Sequence, residues 1–307
     1  MMNYLFCFDK NYIVPANCSI FSLLENSIEK INVYIMNKDY SDPNFLSKKV
    51  LNHRNLNSIN VSRVNLSNYN FPNIFGTHVS EATYYRLFLQ DYITDDIDFI
   101  TYVDCDVFAN KNPESLLQKH IENMKLNNKT ISVCIESSMI DYGKNELGLK
   151  SNKYFNAGVM IIDFKKWKTN DLKDKFLKIM YEYQQKLLFW DQDILNIYFD
   201  GDFEIMDDSL NFKFDMERNN ESSVSANVSL IHYSGKFKPW SIKGAVNYHS
   251  EYFQSIYRNL YNKKYFFLLN YKKNGLSDLI NIFLNKTIFH TKYPFSFFLI
   301  SLKRILK

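Results

Sequence analysis

The chain of 307 residues is predicted to fold as an α/β protein, with a mixed, mainly parallel sheet flanked by helices. Three observations support this class. Apolar runs of strand length alternate with helical patterns through most of the first 240 residues, as in sheets built from strand and helix units. Hydrophobic residues make up 46% of the chain, enough for a sizeable core. Asp104-Cys105-Asp106 directly follows the apolar run 97–103, and open α/β sheets bind ligands beyond the carboxyl ends of their strands.

The amino-terminal part alternates predicted strands with helices. Strands are predicted at 3–8, 31–35, 61–66 and in the run that ends before Asp104. A helix at 16–28 carries Ile20, Leu23 and Leu24 on one face. A second helix begins at Ser80, with Ala82, Tyr85 and Leu89 at helical spacing. These elements place the Asp104 segment at the end of a central strand.

The following part continues the alternation. Pro113 suits the first turn of a helix that runs to about residue 126. An amphipathic helix is predicted at 171–187, and a short one opens at Trp190. Further strands are predicted at 130–135, 154–164, 203–206 and 229–232. The strand at 154–164 begins with small residues, which indicates that its entrance admits a ligand.

The cysteines and the amino terminus predict a cytoplasmic protein. None of the four cysteines stands in a Cys-x-x-Cys pair, so we expect small core residues rather than a zinc or redox site. The segment 1–8 lacks the basic start and the apolar length of a signal peptide.

The carboxyl-terminal segment is basic and aromatic. Residues 258–307 contain ten Lys or Arg and one acidic residue, a net charge of +9, whereas residues 1–257 carry −5. The aromatic residues fall in clusters rather than at the even spacing of nucleic-acid stacking platforms, so we expect association with an anionic membrane and not with nucleic acid. No run in this segment reaches the roughly 18 apolar residues of a membrane span. The alternative is a helical subdomain that packs its aromatic residues on the core.

Asp104 and Asp106 are candidate ligands of a divalent cation. In a strict strand, residues i and i+2 share a face, so the two carboxylates can approach one point while Cys105 turns away. The alternative is a surface turn after a strand, where Asp is also favoured.

Several other segments place polar residues beside strand ends. In chain order they are Asp9-Lys10-Asn11-Tyr12, His78 with Arg86, Asp104-Cys105-Asp106, Asn156-Ala157-Gly158, Trp190-Asp191-Gln192-Asp193, and the segment from His232 to Trp240 that contains Gly235 and Lys238. In this order, over about residues 3–242, the chain resembles glycosyltransferase family 8, which includes bacterial lipooligosaccharide galactosyl- and glucosyltransferases. The resemblance implies a GT-A fold that binds a UDP-sugar and Mn²⁺.

The resemblance also assigns the metal and phosphate contacts. Asp104, Asp106 and His232 would hold the cation, since mixed oxygen and imidazole ligands suit Mn²⁺, with Mg²⁺ as an alternative. Gly235 would let the backbone approach a phosphate, and Lys238 would meet the diphosphate. Taken alone, His232 is more often a hydrogen-bonded core histidine than a ligand, and a lysine before a proline, such as Lys238, is normally solvated.

The donor contacts follow from the same resemblance. Arg86 lies on an apolar helical stripe and needs an anionic partner, which is either the donor or an aspartate of the sheet. His78 corresponds to a donor-contacting histidine, with an exposed loop histidine as the alternative. Residues Asp9, Asn11 and Tyr12 correspond to a uridine site. Lys10 there replaces the more usual acid, and the backbone of Cys105 would approach the ribose.

Asn156, Asp191 and Gln192 are expected to face the donor sugar, and Ala157 and Gly158 to belong to the same UDP-sugar site. Gln192 would lie beneath the anomeric carbon, and its amide is a poor nucleophile. Front-face attack by the acceptor is therefore favoured, with Gln192 or Asp191 stabilising the transition state. Asp193 is expected to cap or salt-bridge the short helix, and the alternative is that it reaches the acceptor.

The sequence therefore predicts a retaining enzyme that transfers a hexose, galactose or glucose, from a UDP-sugar to a saccharide acceptor, most simply a lipid-linked or cell-surface glycan. Residues 1–247 would form the GT-A catalytic domain, and 248–307 a helical segment held peripherally on the inner face of the cell membrane. The alternatives are a non-catalytic UDP-sugar-binding protein and a nucleotide-sugar hydrolase.

Overall fold

The computed structural model describes residues 1–72, 80–214, 216, 226–235, 237–268 and 272–306. His78, one of the predicted donor contacts, lies outside these ranges. The strands of the described part are β1 Asn3–Cys7, β2 Ile31–Asn37, β3 Leu56–Arg63, β4 Phe99–Val103, β5 Val107–Ala109, β6 Ile131–Ile135, β7 Phe155–Asp163, β8 Glu204–Ile205, β9 Phe212–Lys213 and β10 Leu230–His232.

The α-helices are α1 Ile13–Asn26, α2 Lys48–Leu51, α3 Leu89–Tyr92, α4 Glu114–Leu126, α5 Ile140–Tyr142, α6 Phe164–Thr169, α7 Leu172–Tyr183, α8 Trp190–Phe199, α9 Ser250–Tyr261, α10 Lys272–Leu284 and α11 Pro294–Ile305. Short 3₁₀ helices span Lys10–Tyr12, Pro43–Phe45, Glu81–Phe88, Ser137–Met139, Asp208–Leu210, Gly244–Val246 and Thr287–His290, and a π-helical turn spans Gly143–Leu147.

The main sheet confirms the predicted α/β class. Its strand order in the described residues is β3-β2-β1-β4-β7-β6-β8. The first four strands in this order run parallel, and β7 runs antiparallel to its neighbours β4 and β6. Apolar side chains fill both faces of the sheet, because helices cover it on each side.

A small second sheet lies beyond the carboxyl end of β4. Its order is β5-β10-β9, with β10 antiparallel to β5 and parallel to β9. Because β5 follows β4 after three residues, the second sheet continues the chain directly from the edge where the parallel strands end. This arrangement brings residues around 232 to the same edge.

Three predicted elements differ from the structure. The third strand occupies Leu56–Arg63 rather than 61–66, because it is an edge strand on which polar residues alternate with partly buried ones. The helix that begins after Ser80 is 3₁₀ over Glu81–Phe88, with the Ser80 side chain accepting from the Ala82 backbone N–H. The helix predicted to reach residue 187 ends at Tyr183.

The carboxyl-terminal helices divide between two apolar clusters. Helix α9 packs on α1, and its residues Phe253, Tyr257 and Leu260 belong to the same cluster as β1. The chain that follows forms a cluster of its own, whose buried members are Ile242, Ala245, Val246, Tyr265, Phe267, Leu279, Ile282, Ile288 and Phe297. The aromatic residues of this segment are therefore partly packed, as the subdomain alternative expects.

Helices α10 and α11 also present apolar stripes to solvent. Phe295 and Leu299 on α11 are 84% and 65% exposed, one helical turn apart. On α10 the exposed residues recur at helical spacing: Leu276, Ile280, Phe283 and Leu284. None of the helices in the described ranges combines the length and apolar character needed to cross a membrane.

Candidate active site

The predicted site residues surround one cleft of about 1200 Å³ at the carboxyl edge of the main sheet. The cleft is lined by these predicted residues: Asp9, Asn11, Tyr12, Arg86, Asp104, Cys105, Asp106, Asn156, Asp191, Gln192, His232, Gly235 and Lys238. Ala157 and Gly158, the other predicted residues in the described ranges, are buried and do not line it. Elements far apart in sequence thus contribute to one cavity, as expected for ligand binding at strand ends.

Asp104, Asp106 and His232 come together as a potential metal site. One ligand atom from each residue lies within 4.8 Å of the other two. The chain turns between β4 and β5, so the two carboxylates meet through this turn and not on one face of a strict strand. The second sheet completes the cluster, because β10 pairs His232 with Val107, next to Asp106.

The contacts of Asn211 fix the orientation of the His232 ring. Asn211 donates from Nδ2 to Asn156 Oδ1 at 2.9 Å, which leaves Asn211 Oδ1 facing His232 Nδ1 at 2.7 Å. In a neutral imidazole this contact puts the proton on Nδ1 and leaves the Nε2 lone pair facing Asp106. His232 Nε2 lies 3.3 Å from Asp106 Oδ1, a buried oxygen that has no other hydrogen-bond partner among the described residues. Two acceptors facing each other at this distance fit a bound cation.

Gly158 is required by His232. A Cβ atom at this position would lie 2.3 Å from His232 Cε1 and 2.8 Å from Nδ1. The small residue at the entrance of β7 was predicted to admit a ligand, and the group that it admits is the imidazole ring. Its backbone oxygen also accepts from the Asp104 N–H at 2.8 Å, so Gly158 holds two members of the cluster.

Lys238 lies against Asp106. Its Nζ contacts Asp106 Oδ2 and donates to the Tyr233 backbone oxygen at 2.7 Å. Burial alone would raise the pKa of Asp106, but the positive charge of Lys238 holds it below its ordinary value. Gly235 reaches a φ of +83° in the turn before Lys238, a conformation that favours glycine.

Arg86 is buried between two aspartates. Its guanidinium lies 2.6 Å from Asp191 Oδ2 and 3.5 Å from Asp104 Oδ1, and it stacks 3.9 Å from the centre of the Tyr102 ring. It also donates to the Ala157 backbone oxygen at 2.5 Å. The structure thus shows the ion pair with the protein's own aspartates, and a donor contact of Arg86 stays a prediction.

Asp191 and Gln192 begin helix α8 in fixed positions. Asp191 accepts from the Thr83 hydroxyl at 2.6 Å, and burial raises its pKa to about 6 although Arg86 lowers it. Gln192 accepts from the Ala157 N–H at 3.0 Å and donates to the Tyr154 hydroxyl at 3.1 Å. Both ends of the amide are therefore held.

Asp193 has the structural role expected of it. The Tyr142 hydroxyl donates to its carboxylate at 2.8 Å, as do the backbone N–H groups of Leu188 and Phe189. These bonds fix the start of α8. Trp190, the first residue of α8, adopts a φ of +51° there, unusual for a bulky side chain.

The predicted uridine residues Asp9, Asn11 and Tyr12 also line the cleft. Asp9 caps the helix Lys10–Tyr12 by accepting from the Asn11 backbone N–H at 2.8 Å. The Tyr12 ring meets Trp240 edge to face, with centroids 6.0 Å apart. Burial raises the pKa of the Cys105 thiol well above its usual range, so we expect an unreactive thiol.

Sequence reasoning missed several residues of the site. Asn211, Tyr154 and Thr83 orient predicted groups through long-range hydrogen bonds, and no local pattern marks them. Lys213 pairs with Glu136, and both line the cleft. The register of β9 beside β10, which places Lys213 next to His232, depends on a two-residue strand without periodicity.

The sheet order and the cleft at its carboxyl edge define a GT-A fold. The crystal structure of the galactosyltransferase LgtC in complex with donor and acceptor sugar analogues matches this fold with a TM-score of 0.71, at 24% identity, over 85% of this chain and 96% of that one. The chain belongs to glycosyl transferase family 8, whose model matches residues 3–244.

Curated relatives agree with this assignment. A putative glycosyltransferase of Haemophilus influenzae is 30% identical over 254 residues, which cover 79% of this chain and 74% of the relative. A lipopolysaccharide 1,2-glucosyltransferase of Escherichia coli is 27% identical over 279 residues, or 83% of this chain and 79% of the relative.

Proposed function

We propose that this protein transfers a hexose, galactose or glucose, from a UDP-sugar to a saccharide acceptor with retention of anomeric configuration. The observation that carries the proposal is the grouping of Asp104, Asp106 and His232 within 4.8 Å, in which Asp106 Oδ1 and His232 Nε2 lie 3.3 Å apart. Carboxylate and imidazole ligands together suit Mn²⁺, and Mg²⁺ is the alternative.

The nucleotide would extend from this cation site along the cleft. Asp9 and Asn11 supply hydrogen-bonding groups for the uracil, and the Tyr12 ring lies beside them. Cys105 lies between the two carboxylate ligands and lines the cleft, and we propose that its backbone contacts the ribose. Lys238 would bind the diphosphate, and His78 is proposed as a further donor contact.

A cation bound by Asp104, Asp106 and His232 would supply positive charge against the diphosphate as it leaves. Lys238 adds a second positive charge at the same place. Removing UDP breaks the bond between the anomeric carbon and the phosphate oxygen. Stabilising the oxygen left on UDP is therefore the main electrostatic task of this site.

Gln192 fits the sugar side of the reaction. Its amide is held at both ends by Ala157 and Tyr154, so it offers an oxygen at a fixed position beneath the sugar, beside Asn156 and Asp191. Because an amide is a poor nucleophile, we do not expect a glycosyl-enzyme intermediate. The acceptor hydroxyl would instead attack from the face that UDP leaves and pass its proton to a phosphate oxygen.

Incubation with a panel of UDP-sugars and Mn²⁺, with and without saccharide acceptors, tests this function. We expect UDP release with one hexose donor to increase strongly when an acceptor is added, and the product to keep the donor's anomeric configuration by NMR. Rapid release that ignores the acceptor would identify a hydrolase. Binding without release from any donor would identify a non-catalytic UDP-sugar-binding protein.

We also propose that the acceptor is a glycan on a lipid, reached from a membrane surface through α10 and α11. Their exposed apolar stripes are accompanied by exposed basic residues, including Lys264, Lys286, Lys303 and Arg304. Apolar side chains flanked by cations suit the interface of an anionic bilayer, where each Lys or Arg contributes about 1 kcal/mol.

Vesicle sedimentation tests whether α10 and α11 bind a membrane. The double variant Phe295→Ser with Leu299→Ser should bind vesicles of anionic phospholipid at least tenfold more weakly than the wild type, since burial of each side chain is worth about 1.5–3 kcal/mol. Leu126→Ser is the matched control, because Leu126 is 83% exposed on α4, outside this segment. Equal binding by the double variant and the wild type would contradict the proposal.

A further inference from the structure

We propose that Lys238 is a displaceable counter-ion of the metal site, which makes binding of the divalent cation depend on arrival of the nucleotide diphosphate. This inference rests on the proposed function and adds a coupling between two of its ligands. Besides the diphosphate, Lys238 has a second partner, Asp106, when no UDP-sugar is bound.

The contacts of Lys238 show what its ammonium group does without a phosphate. Its Nζ contacts Asp106 Oδ2 and donates to the Tyr233 backbone oxygen at 2.7 Å. The Lys238 side chain is 16% exposed and that of Asp106 10%, so the pair is largely removed from water. An ion pair in such surroundings is screened weakly by salt.

A cation that binds Asp106 must therefore compete with Lys238. The other carboxylate oxygen, Asp106 Oδ1, lies beside His232 and is not covered by Lys238, so this oxygen is available to a cation. Asp106 Oδ2, by contrast, is covered by an ammonium group whose charge opposes that of the incoming metal. Lys238 must leave Asp106, or share it, when the cation binds.

The charges around the cleft explain why the diphosphate is the displacing group. Asp104, Asp106 and Asp191 contribute three carboxylates. Among the described residues, the Arg and Lys side chains that pair with them are Arg86 and Lys238. A diphosphate entering alone would add negative charge to a site that is already negative. A divalent cation entering alone would meet Lys238. When both enter, Lys238 moves to the phosphate oxygens and the metal replaces it on Asp106.

Positive coupling between the two ligands follows. Each should raise the affinity for the other by the same factor, because binding free energies are reciprocal. Direct contact between metal and phosphate also produces coupling. The contribution of Lys238 is therefore identified by binding of the metal alone, where no phosphate is present.

Isothermal titration of the full chain with MnCl₂ in the absence of nucleotide tests this role. Lys238→Met should bind Mn²⁺ about tenfold more tightly than the wild type, within the range usual for coupling between sites. Lys238→Gln serves as a second variant, because its amide keeps a polar group near Asp106. Both should lose affinity for UDP.

The matched control is Lys213→Met. Lys213 lines the same cleft and carries the same charge, but it pairs with Glu136 instead of Asp106. Its removal should change the affinity for Mn²⁺ alone by less than about twofold, since a general field effect is screened.

Two results would overturn the inference in distinguishable ways. If the wild type binds Mn²⁺ but neither Lys238 variant binds it more tightly, Lys238 does not compete for Asp106, and the proposed function stands. If no protein binds Mn²⁺ even with UDP, the metal site itself and the function built on it are wrong.

Discussion

Replacement of Gly158 by alanine tests whether the backbone of β7 positions the third metal ligand. The added methyl carbon would lie 2.3 Å from His232 Cε1. Favourable separations between non-bonded carbon atoms are about 3.5–4.0 Å, so the ring would have to retreat by more than about 1 Å. His232 is buried and bonded to Asn211, and it cannot retreat without losing that hydrogen bond.

Two effects of Gly158→Ala follow from this geometry. Overpacking of a buried site costs about 1–3 kcal/mol, so the free energy of unfolding should decrease by that amount. Misorientation of the imidazole should weaken Mn²⁺ binding about 10- to 100-fold, as loss of a supporting contact around a metal ligand does. Chemical denaturation and Mn²⁺ titration in the presence of UDP measure the two effects.

A double-mutant cycle with His232→Ala isolates the clash. In the His232→Ala background, Gly158→Ala should lower the free energy of unfolding by at least about 1 kcal/mol less than it does in the wild type. Mutations at independent sites depart from additivity by only about 0.5 kcal/mol, so this difference would show that the two residues interact. Gly143→Ala is the control, because its methyl group would meet Leu149 Cδ1 at 2.8 Å and Tyr154 Cδ2 at 3.1 Å, neither of which belongs to the metal cluster. Additive costs, or wild-type affinity for Mn²⁺ in Gly158→Ala, would refute this reasoning.

Three further predictions concern single groups. Asp106→Asn removes ligand charge at constant volume, so UDP release from the active donor should be abolished while circular dichroism stays native; wild-type turnover would rule out Asp106 as a ligand. Asn211→Leu removes the acceptor of His232 Nδ1 and should lower Mn²⁺ affinity about 10- to 100-fold in titrations, with an unchanged affinity as the contrary result. Burial raises the pKa of Asp191 from 3.8 to about 6, so the native state holds this proton more tightly than the unfolded chain does. The contribution of Asp191 to the free energy of unfolding is therefore greatest below pH 4 and declines by about 3 kcal/mol as the pH rises to about 6. Asp191→Asn should lose this decline in urea unfolding at pH 4 and 7, and equal profiles for the two proteins would contradict it.

The parts of the fold that sequence predicts well depend on local patterns. The apolar run before Asp104 predicts a buried strand, and the rule that ligands bind at carboxyl ends of strands places the acidic pair in the cleft. The ordered segments also predict the family and its GT-A fold correctly. These features are encoded within windows of about ten residues, where periodicity is readable.

The parts that sequence does not predict depend on contacts between distant segments. Strands β5 and β9, of three and two residues, are too short for any alternation. Without them, neither the turn that joins Asp104 to Asp106 nor the placement of Asn211 beside His232 can be derived. The 3₁₀ helix Glu81–Phe88 is likewise not predictable from local sequence, since Arg86 within it pairs with Asp191, which lies more than 100 residues later in the chain.

The second sheet has a consequence for how the protein folds. Asp106 and Lys238 are 132 residues apart in the chain, and they meet only when β10 pairs with β5. Contacts of such high sequence separation form slowly, because a long loop must be closed first. A nascent chain that has folded only its first strands therefore presents aspartates without His232 or Lys238. The three proposed cation ligands therefore come together only late in folding, and binding of Mn²⁺ with UDP would report that β10 has paired with β5.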